Sequence, residues 1–145
     1  MKSACINEGP EKTYVLILET GDEVMGSLKR FALENGITAA RLTAIGAFED
    51  GVLGYWETDR RQYRRNPFHE QVEVLAFIGD VARKDRDPVV HVHAVLGRPD
   101  ASTLGGHLLE ARVRPTLEVV LVQSPAYLRR VMDPEAGLPL IEPGV

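Results

Sequence analysis

The 145-residue chain has a single cysteine, Cys5. One cysteine excludes an internal disulfide and leaves no thiolate metal site within one chain. Aromatic residues are sparse, at 6%. No apolar run approaches the roughly 20 residues of a membrane-spanning helix. The opening segment, Met1-Lys2-Ser3-Ala4-Cys5, has no apolar signal core, so the expected location is the cytoplasm. Positive charge is not in surplus either. Lysine and arginine total 17 against 21 acidic residues, a net charge of −4, which disfavours a non-specific DNA coat. There is no Gly-rich phosphate loop and no Gly-x-Ser-x-Gly nucleophile elbow. A chain of this length suits one domain burying roughly 70% of its unfolded surface. It needs no structural metal in order to fold, so a metal here would be functional.

What the chain does have is a group of histidines. His91 and His93 lie in Pro88-Val89-Val90-His91-Val92-His93-Ala94-Val95-Leu96, an apolar, β-branched run between Pro88 and Gly97. Such a run reads as a strand. Residues two apart on a strand share a face, so the two imidazoles stand together while Val90, Val92, Ala94 and Leu96 face the other way. His107 follows Gly105-Gly106, where a sharp glycine turn is expected to bring it to the pair. Three imidazoles with an open fourth position suit a divalent metal. Zinc is the default, while nickel, copper and iron also accept imidazole. Whether His107 joins from the same chain or from a neighbouring subunit is left open by the sequence.

Along the chain, Thr13 to Glu19 reads as a strand, and Asp22 as the cap of a helix running to about Asn35 with Val24, Leu28, Phe31 and Ala32 on its core face. Ile37 to Ile45 and Val52 to Glu57 read as two strands joined by a turn over residues 46–51. Val72 to Ile78 follows, with Val72, Val74, Ala76 and Ile78 on one face. Residues 79–87 form a polar connection to the histidine strand, and Gly97-Arg98-Pro99-Asp100 a turn after it. Leu117 to Val122 is a further strand. The tail from Ser124 is expected to wrap the surface, with Tyr127, Leu128 and Val131 anchoring a short helix. Many strands and one clear helix imply an α+β domain: a largely antiparallel sheet with one main helix packed on it. The expected division is a flexible N-terminus over 1–10, the domain over 11–135 and a C-terminal tail over 136–145.

Other residues carry possible chemistry. Arg60, Arg61, Arg64 and Arg65 surround Tyr63 and could contact nucleic-acid phosphates, although a solvated loop or a subunit contact is the commoner fate of such a cluster. A metal-bound water would need a general base, for which Glu73, Glu110 and Glu118 are candidates. His69 is a candidate fourth ligand or proton carrier. Phe48, Tyr55 and Trp56 are candidates for a pocket wall, with core packing as the alternative.

Several segments, taken in order, resemble one family. They are Ile45-Gly46-Ala47-Phe48, Leu53-Gly54-Tyr55, Val72-Glu73-Val74-Leu75, His91-Val92-His93-Ala94-Val95-Leu96, Gly105-Gly106-His107-Leu108 and Thr116-Leu117-Glu118-Val119. Together they resemble the plant-and-prokaryote-conserved (PPC) domain, over roughly residues 10 to 135. The resemblance implies a homotrimeric antiparallel sheet domain, with His91, His93 and His107 in the places of the three histidines of bacterial members. Plant members pair the domain with separate AT-hook segments that bind DNA. This chain has no Arg-Gly-Arg-Pro hook. Leu96-Gly97-Arg98-Pro99 is the nearest approach, and it reads as a hairpin turn. The expected function is a metal-binding trimer, with a zinc-dependent hydrolase or lyase and a DNA-associated regulator as alternatives.

Overall fold

The computed structural model describes residues 1–125 and 128–142. Its elements, in chain order, are β1 (Lys2–Asn7), β2 (Thr13–Glu19), α1 (Val24–Glu34), β3 (Ala39–Glu57), β4 (Gln62–Phe68), β5 (Val72–Lys84), β6 (Asp87–Gly97), β7 (Thr103–Gln123), β8 (Arg129–Asp133) and β9 (Leu138–Glu142). Strands take 68% of the structure and the helix 8%. The fold is therefore mainly β, and the expected α+β domain built on a main helix is not what forms. Segments that read as breaks lie inside long strands. Residues 46–51 continue β3 through 19 residues, and Gly105-Gly106 lies within the 21-residue β7. Residues 2–7, part of the stretch expected to be flexible, pair with β2 as strand β1.

Four antiparallel pairings close a ring. β3 pairs with β5 and β7, β5 pairs with β6, and β6 pairs with β7. Closure requires bent strands, and bulges supply the bends. β3 and β7 shift register at three places, between Gly46 and Phe48, Phe48 and Asp50, and Val52 and Leu53. Gly46, at φ 149°, is one of the bending points. A Cβ there would overlap the Thr116 carbonyl oxygen and stand 2.8 Å from Leu117 Cα. Only glycine lets the two strands approach this closely. Beyond the ring, β4 pairs with β3, while β2 and β1 extend the sheet from the far half of β7.

The core fills the space between this sheet and α1. Phe48, Phe77, Leu96, Leu108 and Leu117 are fully or almost fully buried. The helix contributes Val24, Leu28, Phe31 and Ala32, the face its periodicity predicts. Each such large apolar side chain contributes about 1.5–3 kcal/mol by leaving water. The cap differs from expectation. Glu23 occupies the cap position, and its carboxylate accepts from the backbone N–H groups of Met25 and Gly26 at 3.2 and 2.6 Å. Asp22 instead accepts from the Glu19 N–H at 2.9 Å.

A bulge also divides β5. The register shifts between Val74 and Ala76, so Val72 and Val74 face the core, Phe77 takes the next inward position, and Ile78 is 64% exposed. A single face running from Val72 to Ile78 is therefore interrupted by the extra residue. The expected polar connection shrinks to a two-residue turn at Asp85-Arg86, and β5 and β6 form a long hairpin around it. The tail forms a second hairpin, β8–β9, in place of a short helix. Leu128 precedes β8 and Val131 lies in it, while Tyr127 is outside the described residues. Among the described residues, a single parallel pairing, Arg83 with Arg129, joins this hairpin to the sheet. No helix among the described residues is long and apolar enough to cross a membrane.

The close contact at Gly46 predicts that Gly46→Ala lowers the unfolding free energy by roughly 2–4 kcal/mol, through both overpacking and backbone strain. A denaturant titration measures it. A change below about 0.5 kcal/mol, the range of ordinary surface substitutions, would contradict the β3–β7 register.

Candidate metal centre

The hairpin turn at Asp85-Arg86 and the closure of the ring together place the histidines. β6 carries His91 and His93 on its outer face, while Val92, Ala94 and Leu96 are buried on the inner one. This is the alternation the sequence predicts. β7 then passes alongside, and His107 pairs directly across from His93. All three imidazoles thus come from one chain. His107 arrives by strand register and not by a sharp turn. Gly106 has a different role from the one expected. A Cβ on it would lie 2.9 Å from the Gly54 carbonyl oxygen and 3.4 Å from Leu53 Cβ, so its bare backbone makes room for β3.

The ring centroids of His91 and His93 are 5.1 Å apart, those of His91 and His107 4.8 Å, and those of His93 and His107 5.5 Å. One nitrogen from each ring lies within 4.8 Å of the others. Three imidazoles around a single zinc hold their donors roughly 3.4 Å apart, so these nitrogens would draw closer on binding one ion. His107 Nδ1 is buried and has no hydrogen-bond partner, as befits a donor atom kept for an electrophile. The Tyr63 ring stacks on His107 at 4.8 Å, and Trp56 meets Tyr63 edge-on at 5.0 Å, which fixes the plane of the His107 ring.

The electrostatics favour neutral rings. Burial, then His91, His93 and Arg130, push His107 down to about 4. Burial, then Arg130 and His93, also lower His91, against the opposing pull of Asp80. Both imidazoles are therefore uncharged at neutral pH, the state in which a ring nitrogen offers a lone pair to a metal.

Two charged residues attend His91. Asp80 lies opposite it across the β5–β6 hairpin. Arg130 of β8 donates from Nη2 to Asp80 Oδ1 at 2.6 Å and stands 3.0 Å from His91 Nδ1. Arginine can only donate, so this contact puts the His91 proton on Nε2. Asp80 Oδ2 lies 3.8 Å from the same Nδ1, beyond hydrogen-bond reach, and would have to draw closer to accept from the other tautomer, the one that leaves Nε2 free to ligate.

The histidines open onto a cavity of about 530 Å³, lined also by Tyr55, Trp56, Tyr63 and the β8–β9 hairpin. Tyr55 and Trp56 are thus wall residues, whereas Phe48 is in the core. Glu73, Glu110 and Glu118 do not line the cavity. His69 lines a separate hollow with Glu23, Asp50 and Glu110. The arginine cluster is tied down. Arg60 and Arg64 both pair with Glu57, Arg65 pairs with Glu110, and Arg61 donates to the Pro134 carbonyl. Asp80 and Arg130 were not anticipated. Counting back from a two-residue turn would have put Asp80 opposite His91, whereas no local signal marks Arg130.

Known proteins share this fold. A metal-containing protein of Archaeoglobus fulgidus is 34% identical, with a TM-score of 0.84 over 91% of this chain and 94% of that one. A plant- and prokaryote-conserved protein of Pyrococcus horikoshii is 28% identical, with a TM-score of 0.85 over 99% and 96%. A Bacteroides thetaiotaomicron protein, provisionally described as DNA-binding, is 26% identical, with a TM-score of 0.89 over 97% and 96%. No curated protein matches the chain. The model of the Plants and Prokaryotes Conserved (PCC) domain matches residues 6–125, and the chain belongs to that family.

Proposed function

We propose that this protein binds one divalent metal ion per chain through His91, His93 and His107 and works as a homotrimer. The observation that carries the metal reading is the convergence of three imidazole nitrogens within 4.8 Å at the floor of a cavity. The buried, unpartnered Nδ1 of His107 and the neutral state of His91 and His107 support it. So does the resemblance to the metal-containing Archaeoglobus protein. Zinc fits best, because it accepts three nitrogens and leaves a position open. When bound, it would polarise a ligand or a water at that position.

A ligand-binding role is favoured over hydrolysis. A hydrolase needs a general base beside the metal. Asp80 is the carboxylate near His91, and Arg130 already holds it. A DNA-binding role is disfavoured by the acidic partners of Arg60, Arg64 and Arg65. The trimer reading rests on the family resemblance and on the outer face of the sheet. Ile45, Leu75, Ile78, Val95 and Val120 are exposed there, and Ile78 pairs with His93. A contiguous apolar face of this kind is commonly covered by another subunit.

His93 is exposed, so His93→Ala leaves no buried void. Elemental analysis of that variant is expected to show at least a tenfold loss of bound metal with the circular dichroism spectrum unchanged. Full retention would contradict the ligand set. Sedimentation velocity is expected to give three times the chain mass for the wild type and smaller species for Ile78→Asp. A wild-type monomer would contradict the trimer.

A further inference from the structure

The β8–β9 hairpin is docked on the sheet by a charged residue. Of residues 128–142, Arg130 alone is buried. Val131, Met132, Leu140 and Ile141 are all exposed, so the hairpin has little apolar anchorage of its own. Segments with few buried apolar contacts open at low cost. At the base of the hairpin, the Arg83 N–H donates to the Leu128 carbonyl at 2.7 Å beside the Arg83–Arg129 pairing. At its tip, Arg61 donates to the Pro134 carbonyl at 2.9 Å. Arg130 supplies the buried tie between them. Its Nη1 donates to the Pro139 carbonyl at 3.1 Å, across the hairpin. Its Nη2 reaches Asp80 Oδ1 at 2.6 Å on β5 and His91 Nδ1 at 3.0 Å on β6.

The contact with His91 is incompatible with a metal on that ring. A neutral imidazole has one ring nitrogen that accepts, and Arg130 occupies it at Nδ1. A metal bound at Nδ1 displaces the guanidinium directly. A metal bound at Nε2 puts the ring proton on Nδ1, where it confronts an arginine N–H, donor against donor. The ion also adds positive charge beside a guanidinium, and the two repel. Whichever nitrogen ligates, Arg130 has to leave His91. Its departure disturbs the one buried residue of the hairpin.

We propose that Arg130 latches the β8–β9 hairpin against the metal-free site, and that a metal on His91 releases the latch. This rests on the metal reading above and concerns the regulation of that site. The hairpin supplies Arg130, Leu138, Pro139 and Leu140 to the cavity wall, so its release widens the cavity beside the ion. Metal loading and access to the cavity are thereby coupled. The coupling is reciprocal: a latch that the metal opens must also weaken metal binding.

The test has two arms. The first measures zinc affinity by competition with a chromophoric chelator, in the wild type and in Arg130→Met, which keeps the length of the side chain and removes its charge and donors. The variant is expected to bind zinc at least tenfold more tightly. Equal or weaker binding by a variant with the wild-type circular dichroism spectrum would overturn the latch. Because Arg130 is buried and its replacement could unsettle the hairpin, the second arm uses the wild type alone. Hydrogen–deuterium exchange is followed with and without one zinc per chain. The backbone amides of β8 and β9 are expected to exchange at least fivefold faster in the zinc-loaded protein, with those of β7 no faster. Unchanged or slower exchange in the hairpin of protein carrying zinc would overturn this inference and leave the metal reading intact. Protein that takes up no zinc would overturn both.

Discussion

The backbone pairing of β6 with the opening residues of β7 holds the chemistry of this molecule in place. Those hydrogen bonds complete the ring β3–β5–β6–β7 and set His93 directly against His107. A shift of one residue would turn His107 to the opposite face and send its neighbours to the wrong sides of the sheet. The register is fixed from behind by the burial of Val92, Ala94 and Leu96, and from the side by the close passage of β3 over Gly106. Core packing and site geometry are therefore one constraint. The inner faces of β6 and β7 anchor the core, and the outer faces carry the three histidines.

The site is also a balance of burial and charge. Gathering three imidazoles is tolerable because His91 and His107 stay neutral, which removes their mutual repulsion. Arg130 and Asp80 add one charge of each sign beside His91. A partly buried pair like this contributes little net stability, because desolvation offsets most of its attraction. Its use here is positional. It ties β8 to β5 at a point where backbone pairing is minimal, and it sets the Arg130 donor against His91 Nδ1. As it stands, Nδ1 accepts from Arg130, so ligation through Nε2 would require the proton to pass to Nδ1 and that N–H to turn toward Asp80 Oδ2, now 3.8 Å away.

Much of this was legible in the sequence. The period-two pattern around His91 and His93 gave the shared face, and the helical spacing of Val24, Leu28, Phe31 and Ala32 gave the helix and its buried side. The long strands were not legible, because glycines inside them look like turns. Gly46 bends β3 and Gly106 admits a neighbour, and both effects depend on strands distant in sequence. For the same reason a mainly β ring looked like an antiparallel sheet of short strands with one main helix packed on it. The β5 bulge reversed the outlook of Ile78 for lack of any local mark. Arg130 was invisible because its partners, Asp80 and His91, are brought to it only by the folding of the tail hairpin onto β5.

The proposed metal centre needs three imidazoles of one chain on one ion. X-ray absorption spectroscopy at the edge of the bound metal measures this most directly, in the wild type and in His107→Ala. The expected spectrum has nitrogen and oxygen donors around the ion with the scattering of three imidazoles, falling to two in the variant. A wild-type shell with fewer than two imidazoles, or one that His107→Ala leaves unchanged, would contradict it.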